Sequence, residues 1–518
     1  CTMRRLCHKV LRKSAKPCMI KYHTIVYFSE KEAHAMQDIT AELEKLIGGY
    51  QGQMTTLARA AGVDRSTLYK FAKGERVPNG EQLYRLVHAL NLPPERTANL
   101  ILRGNALRGS SEPVMRSEIE LLMNTLFAMP HQLEKMRAMP KRPEPTEPLP
   151  LCGFVYGAVE TERMARRLMR EYLCGDDVRP VLVSPVCTAP LLNGALKSLA
   201  QWRGKPHSVR QLLRLADPGE SVAGDAGNIR AVTRAIPFLF IDNVNYEARS
   251  MAGPAVEKLP GALTDAYLLF PHAALFCAEN SAALVTEPAV VEGFREVYEK
   301  QYRDAVPFLQ PTEWGRYFAE AAELYDGFFQ RDSGAILVRW RPPLALFLDD
   351  AMCEQIQLIP EMDSDGVRSM VLEYIRKWKN RRMNVIFSEA GLLDFVHSGR
   401  IGGLPDDLYL PLAPQLRRAL LLRLRAAVEK EEPMVCLADP ERQPMVPGIH
   451  VVILESGGVV FCQTAAGAAN EPCRREYLVQ QPLLTRSMAE YLRWLQTDGR
   501  LRSKKYTLDF IDSCLQML

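Results

Sequence analysis

Residues 57–78 read LARAAGVDRSTLYKFAKGERVP, and how this stretch folds decides what the rest of the chain is for. Leu57 and Leu68, with Leu83 beyond the stretch, supply a core, and the helical pattern breaks at Gly62. Two short helices meeting at a tight turn need a small residue where they cross, hence Ala58. They also need a glycine where the chain takes a left-handed conformation, hence Gly62 followed by Val63. Asp64 is placed to cap the second helix, which the pattern predicts from Arg65 to about Lys73 with a stop at Gly74. Its outward positions carry Arg65, Ser66, Tyr69, Lys70 and Lys73 with no acid among them. Packing accounts for the leucines but not for that face. Side chains of this kind hydrogen-bond to base edges and neutralise phosphates.

Working outward, Ile39, Leu43, Leu46 and Ile47 predict a preceding helix, Met54–Ala61 the first helix of the pair, and Glu81–Leu90 a fourth. A fifth is predicted after Pro93-Pro94, which completes an all-α five-helix domain over residues 36–110. From Tyr50 to Ser110 Lys and Arg number nine against four acids, an excess of five, whereas the whole chain carries only +4. Cationic character is therefore concentrated here.

The segment MTTLARAAGVDRSTLYKFAKGERVPNGEQLYRLVHALNL resembles the Xre-type, phage repressor-like helix-turn-helix family, over residues 40–102 at most. The resemblance implies double-stranded DNA as partner. Base contacts are implied at Arg65, Ser66 and Thr67, with Tyr69 and Lys70 further along. Phosphate contacts are implied at Lys73 and Arg76 and at the N-terminus of the preceding helix. The family often has Gln where this chain has Met54, so Gln53 or Thr55 takes that place here. Where the family commonly reads Glu-Asn-Gly, this chain reads Ala72-Lys73-Gly74, which replaces an acid by a cation. Such domains bind as two-fold dimers, and a single copy of the motif implies a homodimer held together elsewhere in the chain.

At 518 residues, with 47% apolar and 24% charged side chains, the sequence is that of a folded multi-domain protein and excludes a disordered one. Twelve scattered cysteines without a CxxC pair point to thiols in a reducing, cytoplasmic compartment rather than a disulfide framework. No apolar run approaches about 18 residues, so no membrane span is expected. Residues 1–35 begin at Cys1 and hold eight Lys or Arg against two Glu. They are expected to be a basic extension preceding a start at Met36 or Met19, with a DNA-gripping arm as the alternative.

Residues 111–150 are expected to form a helix ending before Pro130, followed by a proline-rich linker, KMRAMPKRPEPTEPLPL. The helix carries an apolar stripe, Ile119, Leu122, Met123 and Leu126, read either as core or as a dimerisation face. Beyond it strand and helix patterns alternate, predicting a large α/β or α+β region in two lobes, 151–330 and 331–518. Strands are predicted at 181–184, 238–241, 266–270, 274–277, 335–340, 385–388, 450–454 and 459–463, the last two as a hairpin. Helices are predicted at 160–173, 289–302, 367–378 and 485–495. ALFCAENSAALV and NVIFSEAGLLDF share a strand–acid–helix pattern and suggest that the lobes repeat.

GxxxxGK[ST], GxSxG, HExxH, HxK and metal-spaced Cys/His pairs are all absent from 151–518. Cys462 and Cys473 are read as structural, His272 and His397 as packing residues, and the acids at 349–350, 363 and 365 as solvated turns. No catalytic residue, cofactor or metal is expected. Glu389, at a predicted strand end, and Arg400, in a glycine-rich turn, are the two candidate ligand contacts; a helix cap and a solvated guanidinium are the plain alternatives. The layout is that of a bacterial one-component transcriptional regulator whose C-terminal region senses a small-molecule or protein effector and dimerises. The alternatives are a DNA-binding scaffold or antitoxin-like repressor controlled by a protein partner, and an enzyme with an unrecognised active site in 151–518.

Overall fold

The computed structural model describes residues 42–50, 52–73, 78, 80–92, 96–97, 100–101, 112–139, 152–184, 189–216, 221–241, 243–252, 266–278, 281–313, 334–379, 383–402, 404, 406, 408–430, 434–454, 457–464 and 474–518. The chain divides into two compact units, residues 1–91 and 92–518.

The first unit is helical: α1 (residues 42–48), α2 (Met54–Ala60), α3 (Arg65–Ala72) and α4 (Gly80–Ala89). Leu43, Ile47, Leu57, Ala58, Leu68, Phe71, Leu83, Leu86 and Val87 are buried, as the apolar spacing predicts. Most of the predicted fifth helix lies outside the described residues.

The second unit is α/β. Its first element, α5 (Glu112–Ala138), runs straight through Pro130, where the sequence pattern predicts an end. A proline inside a helix removes one hydrogen bond and crowds the preceding turn. Burial of Leu126, Phe127 and Met129 before it and Leu133 after it offsets that cost. Nor is the apolar stripe of α5 an open face: the helix packs inside its own unit. The helices against it are α7 (Ala189–Gln201) and α8 (Val222–Leu239) of the first lobe and α13 (Pro482–Thr497) of the second. Glu118, fully buried, accepts hydrogen bonds from Nε of Arg230 on α8 at 2.9 Å to each oxygen. On the other side Arg116 lies over the Trp494 ring of α13 at 4.4 Å, and Glu120 pairs with Arg500.

Among the described residues fourteen strands form two mixed sheets. They are β1 (Cys152–Tyr156), β2 (Val181–Val183), β3 (His207–Leu215), β4 (Val244–Ala252), β5 (Ala266–Leu269), β6 (Ala274–Ala278) and β7 (Ser281–Val285). Then follow β8 (Val306–Glu313), β9 (Ala335–Arg339), β10 (Met383–Ser388), β11 (Val435–Ala438), β12 (Ile449–Leu454), β13 (Gly458–Thr464) and β14 (Arg474–Val479). Their order is β1-β7-β6-β5-β2-β3-β4-β8-β14-β13-β12-β9-β10-β11. The first half of β8 pairs with β4 and the second half with β14, so one strand joins the two sheets.

Either side of β8 the topology repeats. β7-β6-β5-β2-β3-β4 and β14-β13-β12-β9-β10-β11 have the same order and the same senses, three antiparallel pairings followed by two parallel ones. The helices repeat too. After α6 (Ala158–Cys174), which joins β1 to β2, α7 joins β2 to β3 as α10 (Asp365–Lys379) joins β9 to β10. α8, and in the second lobe α11 (Glu389–Ser398) with α12 (Pro414–Lys430), join the next two. α9 (Pro288–Asp304) and α13 follow the last strand of each. The segment pair that suggested a repeat in the sequence is not the equivalent one: ALFCAENSAALV is the β6–β7 hairpin, whereas NVIFSEAGLLDF is β10 entering α11. Of Phe238–Ile241, read as a strand, Phe238 and Leu239 end α8, Phe240 is its C-cap and Ile241 lies beyond it, and β4 begins at Val244. The last helix, α14 (Lys504–Gln516), packs on α12.

Removing Arg230 strands a buried carboxylate without this partner, so Arg230→Ala should destabilise the second unit by about 3–5 kcal/mol. The double change Glu118→Leu with Arg230→Met should recover most of the loss. Urea-unfolding midpoints of the three chains check this; equal midpoints for Arg230→Ala and wild type would refute it.

Candidate nucleic-acid interface

The α2–α3 pair is built by its turn. Gly62 has φ of +67°, and the amides of Gly62 and Val63 donate to the carbonyls of Arg59 and Ala58 at 3.1 and 3.0 Å. Together these close the first helix with the paired bonds of a Schellman cap. A left-handed residue other than glycine costs about 1–2 kcal/mol. A Cβ at Gly62 would also come within 3.0 Å of Nη1 of Arg85, which is the mobile end of a side chain and can move.

Asp64 then opens α3. One carboxylate oxygen accepts from the Thr67 amide at 2.8 Å and from the Ser66 hydroxyl at 2.6 Å, and the other from the Thr67 hydroxyl at 2.8 Å. The Ser66 hydroxyl, followed by the Thr67 amide and hydroxyl, holds this carboxyl well below the usual carboxylate range. Thr67 is thus drawn inward: it is buried and its hydroxyl is committed to Asp64, so it does not share the outward surface on which the family pattern places it.

The remaining positions do share one. Arg65, Ser66, Tyr69, Lys70 and Lys73 are all exposed. Arg65 donates to the Tyr69 hydroxyl at 3.2 Å and its guanidinium lies 5.5 Å from the ring centre, which orders a long side chain that otherwise costs entropy to place. Gln53 precedes α2 as its cap residue but makes no side-chain capping bond, and it and Thr55 are exposed at that helix's N-terminus. Arg76 lies outside the described residues.

Residues 52–96 match the helix-turn-helix family model. The segment is a Cro/C1-type helix-turn-helix domain. The rest of the chain matches no family model, and no curated protein matches the chain. Among solved structures it is similar to phosphatidylserine synthase of Haemophilus influenzae Rd KW20, with 8% identity, 71% of this chain and 91% of that one covered, and a TM-score of 0.24. It is also similar to TrmBL2, an archaeal chromatin protein, with 13% identity, 51% and 98% covered, and a TM-score of 0.20. A third is polyphosphate kinase of Porphyromonas gingivalis, with 12% identity, 65% and 49% covered, and 0.19. These scores are too low to assign a shared fold. Among the described residues no helix is long and apolar enough to cross a membrane.

In the second unit the two candidate ligand contacts have internal partners. Glu389 begins α11 and pairs with Arg502 at 2.9 Å, and Arg502 also reaches Asp439 at 3.1 Å. Arg400 donates to the carbonyls of Asp406 and Tyr409 and lies over the Tyr409 ring. The two residues therefore serve different loops. Three of the four acids read as solvated turns are paired: Asp349 caps a helical turn and binds Arg423, Asp350 meets Arg376 at 3.2 Å, and Asp363 meets Arg368 at 2.7 Å. His397 Nδ1 lies 2.7 Å from the Leu393 carbonyl. Burial lowers the pKa of His272, partly offset by Glu171 at 3.8 Å.

The sign of the Asp64 shift gives a pH test. A depressed carboxyl contributes helix stability above its ordinary pKa of about 4, lost as pH falls toward the folded value. Carboxyl NMR on Asp-labelled protein should place the Asp64 midpoint below that of exposed aspartates, and Ser66→Ala should raise it. A midpoint that Ser66→Ala leaves in place would contradict the hydroxyl's role. Gly62→Ala should speed amide exchange across 65–72 by about 5- to 30-fold, the equivalent of its strain.

Proposed function

We propose that this chain is a sequence-specific DNA-binding transcriptional regulator, in which α3 reads the major groove and the α/β unit controls DNA binding. The observation that carries the reading is the exposed face of α3: Arg65, Ser66, Tyr69 and Lys70 without an acid, opened by a capped turn in a segment that matches the helix-turn-helix model. In this reading Arg65 and Ser66, at the helix start, contact base edges. Tyr69 packs against Arg65 and shares its contact. Lys73, with Gln53 and Thr55 at the start of α2, meets phosphates. The protein works as a homodimer, since a single motif recognises a single half-site. Residues 92–518 supply the dimer contact and the effector response, a role that calls for a pocket or a partner surface rather than a catalytic centre.

Selection of duplex DNA from a random pool by the purified protein, at about 150 mM salt, should enrich an inverted repeat with half-sites about one helical turn apart. On that site Arg65→Ala should cost about 1–3 kcal/mol and relax preference at one or two base pairs. Lys73→Ala should instead weaken binding to every sequence and lower the salt slope by about one per half-site. Identical, sequence-independent effects of the two changes would overturn the division of roles, and the absence of any enriched sequence would overturn sequence-specific reading.

A further inference from the structure

The second lobe holds a buried chemical cluster that the DNA reading does not use. His450 on β12, Cys462 on β13 and Glu476 on β14 stand opposite one another in register: His450 pairs with Cys462, and Cys462 with Glu476. Residues opposite one another in a sheet project from the same face. All three are buried, at 7%, 1% and 1% exposure. One imidazole nitrogen, the thiol sulfur and one carboxylate oxygen lie within 4.8 Å of one another.

We propose that these three residues form a binding site for a thiophilic divalent cation, Zn2+ in the first instance. Donor chemistry supports the metal: one sulfur, one nitrogen and one oxygen is a set that Zn2+ accepts and that Mg2+ and Ca2+, which take oxygen, do not. The spacing agrees. With Zn–S of about 2.3 Å and Zn–O of about 2.0–2.2 Å, a tetrahedral site puts sulfur and oxygen about 3.5–3.7 Å apart. Sγ of Cys462 and Oε1 of Glu476 are 3.5 Å apart. A thiol donating to a carboxylate gives the same distance, so distance alone does not separate the two readings, and the test must.

Cys462 sits within the apolar cluster of the second lobe beside Val452 and Val460, so the donors border a dry environment in which a neutralised metal–thiolate–carboxylate set is favoured. Three protein ligands leave a fourth position on the ion. The metal would fasten three consecutive strands, the last of which pairs with β8.

The experiment uses the full chain, purified under reducing conditions without chelator, and needs no DNA. Elemental analysis should find about one zinc per chain, and replacement by Co2+ should produce a thiolate-to-cobalt charge-transfer band in the near ultraviolet. Cys462→Ser should abolish that band. Glu476→Gln, which keeps the side-chain shape, should weaken zinc binding by more than the about 10–100-fold expected of a residue that only orients a ligand. Cys436→Ser is the thiol control. Cys436 is buried on β11 with its pKa pushed up to about 12 and its sulfur 3.9 Å from the Val385 carbonyl, and its loss should leave metal content and band unchanged. Circular dichroism establishes that each variant is folded. A folded wild-type chain that neither retains zinc nor competes for it with a chromophoric chelator would overturn the proposal and leave a thiol–carboxylate hydrogen bond. A cobalt band that survives Cys462→Ser would equally overturn it.

Discussion

The α/β unit depends on one carboxylate. Glu118 has no exposed surface, and a charge taken out of water is tolerated only where a partner of opposite sign meets it in good geometry. The Arg230 guanidinium does so with both oxygens engaged, and this fixes the rotation of α5 about its own axis. With that rotation set, Arg116 and Glu120 fall on the Trp494 and Arg500 side. A helix that precedes both lobes in the chain thus becomes the part that touches both. The β8 strand does the same work within the sheets, spending half its length on each.

The helix-turn-helix domain follows a comparable division of polar groups. Asp64 gathers the Ser66 and Thr67 hydroxyls and an orphan amide at the helix start, so its charge is engaged by hydrogen bonds within the first turn. The cations that follow are then not neutralised by a neighbouring acid on α3 itself. A single aspartate thus caps the helix at its start.

Much of this was legible in the sequence, for reasons that differ from place to place. The turn at Gly62 and the cap at Asp64 are local devices, and local devices are written in consecutive residues. The inward turn of Thr67 was legible only in part, because a hydroxyl three residues after an aspartate can face the cap or the solvent. The sequence pattern ends α5 before Pro130 because the rule for proline is local, while the burial that overrides it comes from helices distant in sequence. Phe238–Ile241 read as strand because its composition suits one, yet Phe238 and Leu239 end a buried helix whose apolar surface is nearly continuous. The partners of Glu389 and Arg400 were not legible at all: Arg502 lies 113 positions from Glu389. His450, Cys462 and Glu476 are spaced by twelve and fourteen, unlike any short ligand motif, and only the register of three successive antiparallel strands brings them together.

The repeated strand order on either side of β8 has a consequence for how the molecule could have changed over time. Two copies of one topology, joined in a single polypeptide, are what tandem duplication of an ancestral segment produces. After such an event each copy is free to drift as long as its sheet still closes. In β12–β14 such drift leaves room for a buried row of three polar side chains, His450, Cys462 and Glu476.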